Sequence, residues 1–112
     1  MKMISCVIRP EKLDTLTDAL ERDQIVGMTV MDVRGFGRQK GDTGDLREGG
    51  SRISLVSKVR VDLVVYEHDV RKVMETIVRV SRTGKIGDGK IFVLDVLNAM
   101  RVRTGEKGAL AL

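Results

Sequence analysis

Between residues 58 and 78 the hydrophobic period switches from two to 3.6, and this switch constrains the fold more than any other feature. Val59, Val61, Leu63 and Val65 alternate with Arg60, Asp62, Val64 and Tyr66, the period that gives a β-strand one strongly apolar face. Shortly after, Val70, Val73, Met74, Ile77 and Val78 recur at i, i+3, i+4, i+7 and i+8. That spacing lays a stripe along one side of an α-helix, and Asp69 stands where an N-cap is expected. An apolar sheet face and an apolar helix stripe bury each other, so the two elements belong to one layered core.

The rest of the chain repeats the theme. Residues 1–8 (MKMISCVI) read as a short strand that Arg9-Pro10 ends, because proline cannot donate to a sheet ladder. Pro10 suits the first turn of a helix in which Leu13, Leu16, Ala19 and Leu20 share a face and Glu11 and Asp14 sit at the positive dipole end. That helix is expected to end before Gly27. Residues 28–36 (MTVMDVRGF) form a second strand and residues 91–96 (IFVLDV) a fourth. The order β-α-β-β-α-β is the ferredoxin-like arrangement, an α+β sandwich with a long loop between strands 2 and 3. Its helices cover one face of an antiparallel sheet. Val-rich strands are expected to leave an apolar patch on the other face, which calls for self-association. The fold alone does not specify a function.

A chain of 112 residues is expected to be one domain, spanning 1–112. With two Phe, one Tyr and no Trp, its core must come from Val, Ile, Leu and Met. So small a core is readily supplemented by oligomerisation. The net charge of +4 permits an anionic partner, yet 16 acidic residues are interspersed among 20 basic ones. An aromatic content of 3% offers few stacking platforms, which argues against nucleic acid. Cys6, the single cysteine, lies in an apolar run and reads as a small core residue. No secretory leader pattern and no run of about 18 apolar residues is legible, so a cytoplasmic location is expected.

Two stretches resist assignment to regular structure. Residues 35–58 (GFGRQKGDTGDLREGGSRISLVSK) are polar, Gly-rich and of mixed charge. About twenty residues without secondary structure inside a compact domain point to a functional loop, here an arm over 37–55. Residues 84–90 (GKIGDGK), within a loop spanning 82–90, fit the first seven positions of a phosphate-binding P-loop. The eighth position should be Ser or Thr but is Ile91, and the loop runs helix to strand instead of strand to helix. An NTPase of that type is therefore not expected. The glycines and Arg82, Lys85 and Lys90 still suit a polyphosphate, although a solvated basic turn explains the same residues. Gly37, Arg38, Gln39 and Lys40 at the base of the arm, Lys58 at its far end, and Arg101 and Arg103 in the tail over 101–112 are further donors. In an extended tail, residues 101 and 103 would share a face. His68 reads as a surface residue, no metal cluster is visible, and Asp62 is the acid expected near a ligand.

The stretches KMISCVIRPEKLD, GMTVMDVRGFGRQKG, KVRVDLVV, RTGKIGDGKIFVLDV and RVRTGE resemble the PII signal-transduction family over essentially the whole length. The resemblance implies a homotrimeric, non-enzymatic sensor of ATP, ADP and 2-oxoglutarate that regulates nitrogen-metabolism targets. It implies nucleotide in the cleft between subunits. Adenine and ribose would meet Thr29, Gly35, Asp62 and Val64. The phosphates would meet Gly37, Arg38, Gly87, Asp88, Gly89 and Lys90, with Arg101 and Arg103 from the neighbouring subunit. 2-Oxoglutarate would bind through Gln39, Lys40, Gly41, Lys58 and Gly87, and Mg²⁺ would bridge it to ATP and Gln39. Arg47 would contact the partner: an ammonium channel, nitrogenase or a biosynthetic enzyme. A membrane would be met through the channel alone.

The arm departs from the family pattern. The uridylylated tyrosine of relatives falls at Ser51 and a phosphorylated position falls at Gly49, while Tyr66 lies outside the arm. Uridylylation by the usual route is not expected. Ser51 and Ser54 stay open as modification sites or plain loop residues. Asp62 replaces the family's usual Glu. Gly44, Asp45, Leu46 and Glu48 are unusual neighbours for Arg47. The readings kept beside the sensor are a nucleotide-hydrolysing enzyme at the same site and an RNA-binding module.

Overall fold

The structure, a computed structural model, describes residues 1–37, 46–47, 50–51 and 54–112. Arg38, Gln39, Lys40, Gly41 and Gly49 lie outside the described residues, and Arg47 and Ser51 are placed by their backbone. Strand β1 (Lys2–Ile8) leads through a 3₁₀ turn (Pro10–Lys12) into helix α1 (Leu13–Arg22). Pro10 opens that turn, where its missing N–H costs no hydrogen bond. Strand β2 (Thr29–Gly35) follows, then two short strands inside the arm, β3 (Leu46–Arg47) and β4 (Gly50–Ser51). Strand β5 (Val56–Val65), a 3₁₀ turn (Glu67–Asp69), helix α2 (Val70–Ser81) and strand β6 (Lys90–Asp95) complete the βαββαβ order. The four long strands form one antiparallel sheet in the order β2-β5-β1-β6.

The core is the one that periodicity predicts. Val59, Val61, Leu63 and Val65 are all buried against Ile4, Cys6 and Ile8 of β1, Leu16 and Leu20 of α1, and Val73 and Ile77 of α2. Val70 and Met74 pack at its margin, whereas Val78 is exposed.

Several local expectations are corrected. Asp69 makes no capping bond, because the 3₁₀ turn it ends already carries the chain into α2. Its carboxylate instead lies 3.6 Å from His68, which is exposed as expected. The arm is not wholly irregular, since β3 and β4 pair across two residues. The third long strand begins at Val56 rather than Lys58, and the fourth at Lys90 rather than Ile91. The open face of the sheet is apolar in part, as expected, through Met3 and Val7 of β1, Met31 and Val33 of β2, Val64 of β5 and Phe92 and Leu94 of β6. Lys58, Arg60 and Asp62 of β5 with Ser5 of β1 form a polar row across it. The tail is not extended. It turns at residues 102–104, Gly105 N–H bonds to the Arg101 carbonyl at 2.8 Å, and Met100 bridges to Lys107.

Candidate functional site

One end of the sheet holds a cleft of about 630 Å³. It lies where β1 and β2 finish and β5 and β6 begin. Val7, Gly35, Phe36, Gly37, Lys58 and Phe92 line it together with residues 84–90. The loop on its wall is held by a set of hydrogen bonds, while residues 82–86 stand exposed. Arg82 N–H closes the last turn of α2 on the Val78 carbonyl. Asp88 then gathers the loop, accepting from the Thr83 hydroxyl, from the Thr83 and Gly84 N–H groups at 2.8 Å each, and from Arg9 Nε at 3.0 Å. Arg9 Nη2 donates to the Ile86 carbonyl at 2.9 Å, and Lys58 Nζ donates to the Gly87 carbonyl at 2.6 Å. The loop is thus tied to two strands distant in sequence.

These bonds set the local electrostatics. The Thr83 hydroxyl, helped by the Thr83 and Gly84 amides and by Arg9, holds the Asp88 carboxyl far below the usual carboxylate range against its desolvation. Burial pushes the Lys58 pKa down, and the nearby Arg9 charge adds to that. With its lone pairs committed to donors, Asp88 is a poor general base. Among the described residues lining the cleft, no other carboxylate is present. Glycine is required at position 89, where φ is +95° and a Cβ would lie 1.6 Å from the Val7 carbonyl oxygen. That contact lets the start of β6 pass tightly under β1. Gly87 has φ +108°, so its backbone takes a path that other residues rarely follow.

Of the residues expected to bind ligand, Gly35, Gly37, Lys58, Gly87, Asp88, Gly89 and Lys90 come together in this cleft. Thr29, Asp62, Val64, Arg101 and Arg103 do not. Thr29 pairs with Asp62 in the β2–β5 register, on the same open face but further along β5. At about 3.3 Å per residue, Asp62 stands roughly 13 Å from Lys58 and Val64 roughly 20 Å. Asp62 accepts from Ser5 at 2.6 Å and Arg60 at 3.0 Å. Burial pushes its pKa up, but those bonds outweigh it and hold the group below its ordinary value. The tail leaves the sheet at Asp95, which pairs with Lys2 at the end remote from the cleft. There Tyr66 donates to the Ala109 carbonyl, and Arg101 bonds to Glu106 at 3.2 Å and to the Leu112 carbonyl at 3.0 Å. The residues expected to bind ligand therefore fall into two groups along the sheet, one at the cleft and one from the middle of the sheet towards its remote end.

Sequence reasoning missed Arg9 and Thr83, which position the loop, and Ser5, which positions Asp62. No local motif marks them, because Arg9 reaches Asp88 across 79 residues and Ser5 reaches Asp62 across 57. No group of three or more His, Cys, Asp or Glu that could hold a metal occurs among the described residues. Nor, among them, is any helix long and apolar enough to cross a membrane.

Comparison with known proteins agrees with this architecture. The family model "Nitrogen regulatory protein P-II" matches residues 1–106. The chain is 46% identical to "Nitrogen regulatory protein P-II" of Klebsiella oxytoca over 112 residues, covering 100% of both chains. It is equally similar, 46% over the full length of both, to "Nitrogen regulatory protein P-II 1" of Escherichia coli strain K12. Among solved structures it superimposes on Arabidopsis thaliana PII bound to citrate with a TM-score of 0.82 and 40% identity, covering 99% of this chain and 91% of that one. The chain therefore belongs to the nitrogen regulatory protein P-II family, homotrimeric signal-transduction proteins and not enzymes.

Proposed function

We propose that this protein senses ATP and ADP at its subunit junctions, and 2-oxoglutarate at the base of the arm, and that the arm passes the result to a nitrogen-metabolism target. The observation that carries this reading is the separation of the two groups of residues. Gly37, Gly87, Gly89 and Lys90 offer a phosphate-sized cleft at one end of the sheet. Thr29, Asp62 and Val64 lie further along the sheet, and Arg101 and Arg103 belong to the tail that leaves it at the remote end. One ligand can meet both sets when the cleft of one subunit faces the far end of its neighbour, so the site is completed by assembly. Arg101 would exchange Glu106 and the tail carbonyl for a nucleotide phosphate, a charge-assisted replacement of similar geometry.

The chemistry of the cleft suits a polyphosphate. Lys58, Lys85 and Lys90 line it, and its acid, Asp88, is already engaged by four donors, one of them the Arg9 guanidinium. Mg²⁺ is usually captured by substrate phosphates with few protein ligands. In this reading Gln39 supplies the protein contact, and Arg38, Lys40 and Gly41 join Lys58 and Gly87 around 2-oxoglutarate. A ligand that touches the arm in one shape shifts the arm's population towards it. A tenfold shift requires about 1.4 kcal/mol of differential binding, within the range of one charge-assisted hydrogen bond. Arg47 and its acidic neighbours would then meet the target, with an ammonium channel, nitrogenase and a biosynthetic enzyme as the candidate classes. Hydrolysis is disfavoured by the committed state of Asp88.

Titration calorimetry tests the assignment. ADP and ATP bind the wild-type chain, and 2-oxoglutarate binds when ATP and Mg²⁺ are present. Gln39→Ala loses 2-oxoglutarate binding and keeps ADP binding. Combined Arg101→Ala and Arg103→Ala weakens both nucleotides without unfolding the chain. Unchanged 2-oxoglutarate affinity in the first variant, or unchanged nucleotide affinity in the second, overturns the residue roles.

A further inference from the structure

Behind the loop, on the helix-covered side of the sheet, a second and smaller cleft of about 280 Å³ opens between the end of α2 and the start of β6. Ile8, Ile77, Val78 and Ile91 supply apolar walls. Ser81 also lines it. Its residue is 4% exposed, and its hydroxyl oxygen is buried with no hydrogen-bond partner. A buried polar atom left unpaired costs free energy and calls for an explanation. Arg82 stands exposed at the mouth. The Asp88 carboxylate nearby is spoken for by Thr83, Gly84 and Arg9.

We infer that this back cleft binds a small aliphatic monocarboxylate, its chain against the isoleucines and its carboxylate between the Ser81 hydroxyl and the Arg82 guanidinium. The volume is at the small end for ligand pockets and matches a body of a few carbons. The apolar walls favour an aliphatic body. Rotation about the Ser81 Cα–Cβ bond would bring the buried, unpaired hydroxyl to the cleft, where it can donate to a carboxylate oxygen, and the guanidinium adds a charge-assisted bond. The C-terminal end of α2 opposes an anion here. That effect weakens binding about twofold to fivefold, whereas a hydrogen bond to a charged group strengthens it about tenfold or more, so the carboxylate prevails. Asp88, Gly89 and Lys90 line both clefts, so an occupant at the back lies against the reverse of the segment that faces the front.

Hexanoate is the probe, with 1-hexanol as its uncharged counterpart, followed by amide chemical shifts of the full chain. Hexanoate should shift the Ser81, Arg82 and Ile91 amides saturably at millimolar concentration, and hexanol should bind several-fold more weakly. Ser81→Ala removes an unpaired hydroxyl and keeps the fold, and it should weaken hexanoate about tenfold. Arg82→Gln, an exposed substitution, should erase the preference for hexanoate over hexanol. Absence of saturable shifts at those amides, equal affinity for the two probes, or unchanged hexanoate affinity in Ser81→Ala overturns the proposal.

Discussion

Replacing Gly89 by alanine should disrupt the junction between the phosphate-type loop and β6 far more than replacing Gly84. Both glycines have positive φ, +95° and +84°, so each substitution carries a similar backbone strain of about 1–2 kcal/mol. Their surroundings differ. A Cβ at position 84 meets nothing within 4 Å, whereas at position 89 it lies 1.6 Å from the Val7 carbonyl oxygen and 2.7 Å from its carbon. Those atoms belong to the β1 backbone, which pairs with β6 from Lys2 to Val7 and cannot swing aside like a side chain. Forced expansion of a packed contact costs about 1–3 kcal/mol, and a backbone neighbour puts this case at the upper end. Gly89→Ala should therefore lose about 3–5 kcal/mol and Gly84→Ala about 1–2 kcal/mol. The entropy lost by the unfolded chain is common to both and cancels in the comparison. In thermal unfolding the gap should reach roughly 5–15 °C for a chain of this size. Chain concentration must be matched, because assembly shifts the midpoint. Equal destabilisation of the two variants would refute the claim that close approach to β1 fixes residue 89 as glycine.

Other expectations follow from the same contacts. Arg9→Ala removes two bonds to the loop, so the amides of residues 83–88 should exchange faster, as hydrogen-exchange measurements would show. The depressed Asp88 pKa stabilises the loop fully above the ordinary carboxylate value of about 4, and that stability fades as pH falls through the folded value. Arg9→Ala should move the fading to higher pH, and a carboxyl NMR titration that does not move would contradict it. Ser5→Ala should raise the Asp62 pKa by deleting its 2.6 Å donor, visible in the same titration. Cys6 is fully buried and its thiol is pushed up to about 11, chiefly by desolvation. A thiol reagent at neutral pH should label it in denaturant and not in the native protein; rapid native labelling would contradict the packing around β1.

What the sequence made legible was whatever repeats locally. The alternation from Val59 to Val65 and the 3.6 period from Val70 to Val78 are local signals, and both elements appear where they point. The glycines and cations of residues 84–90 are contiguous, so their cleft was visible as a motif. Contacts between distant positions left no trace of that kind. Arg9 looked like a strand terminator, yet it braces the loop through Asp88 and Ile86. Asp69 looked like a cap, but the 3₁₀ turn before α2 makes a side-chain cap unnecessary. An extended tail would put residues 101 and 103 on one face, whereas backbone bonds from Arg101 to Glu106 and from Gly105 to Arg101 fold it back. The polar row on the open sheet face was equally hidden, since it depends on which strands are neighbours and in what register.

Nucleotide should be held where two copies of the chain meet, with the 84–90 loop of one subunit facing the far sheet end of the next. A crystal structure grown with ATP measures this most directly. Phosphates should lie against Gly87, Gly89 and Lys90 of one subunit, with Arg101 of its neighbour released from its own tail and turned, with Arg103, onto them. Junctions that stay empty at saturating ATP, or a nucleotide bound wholly within one subunit, would contradict it.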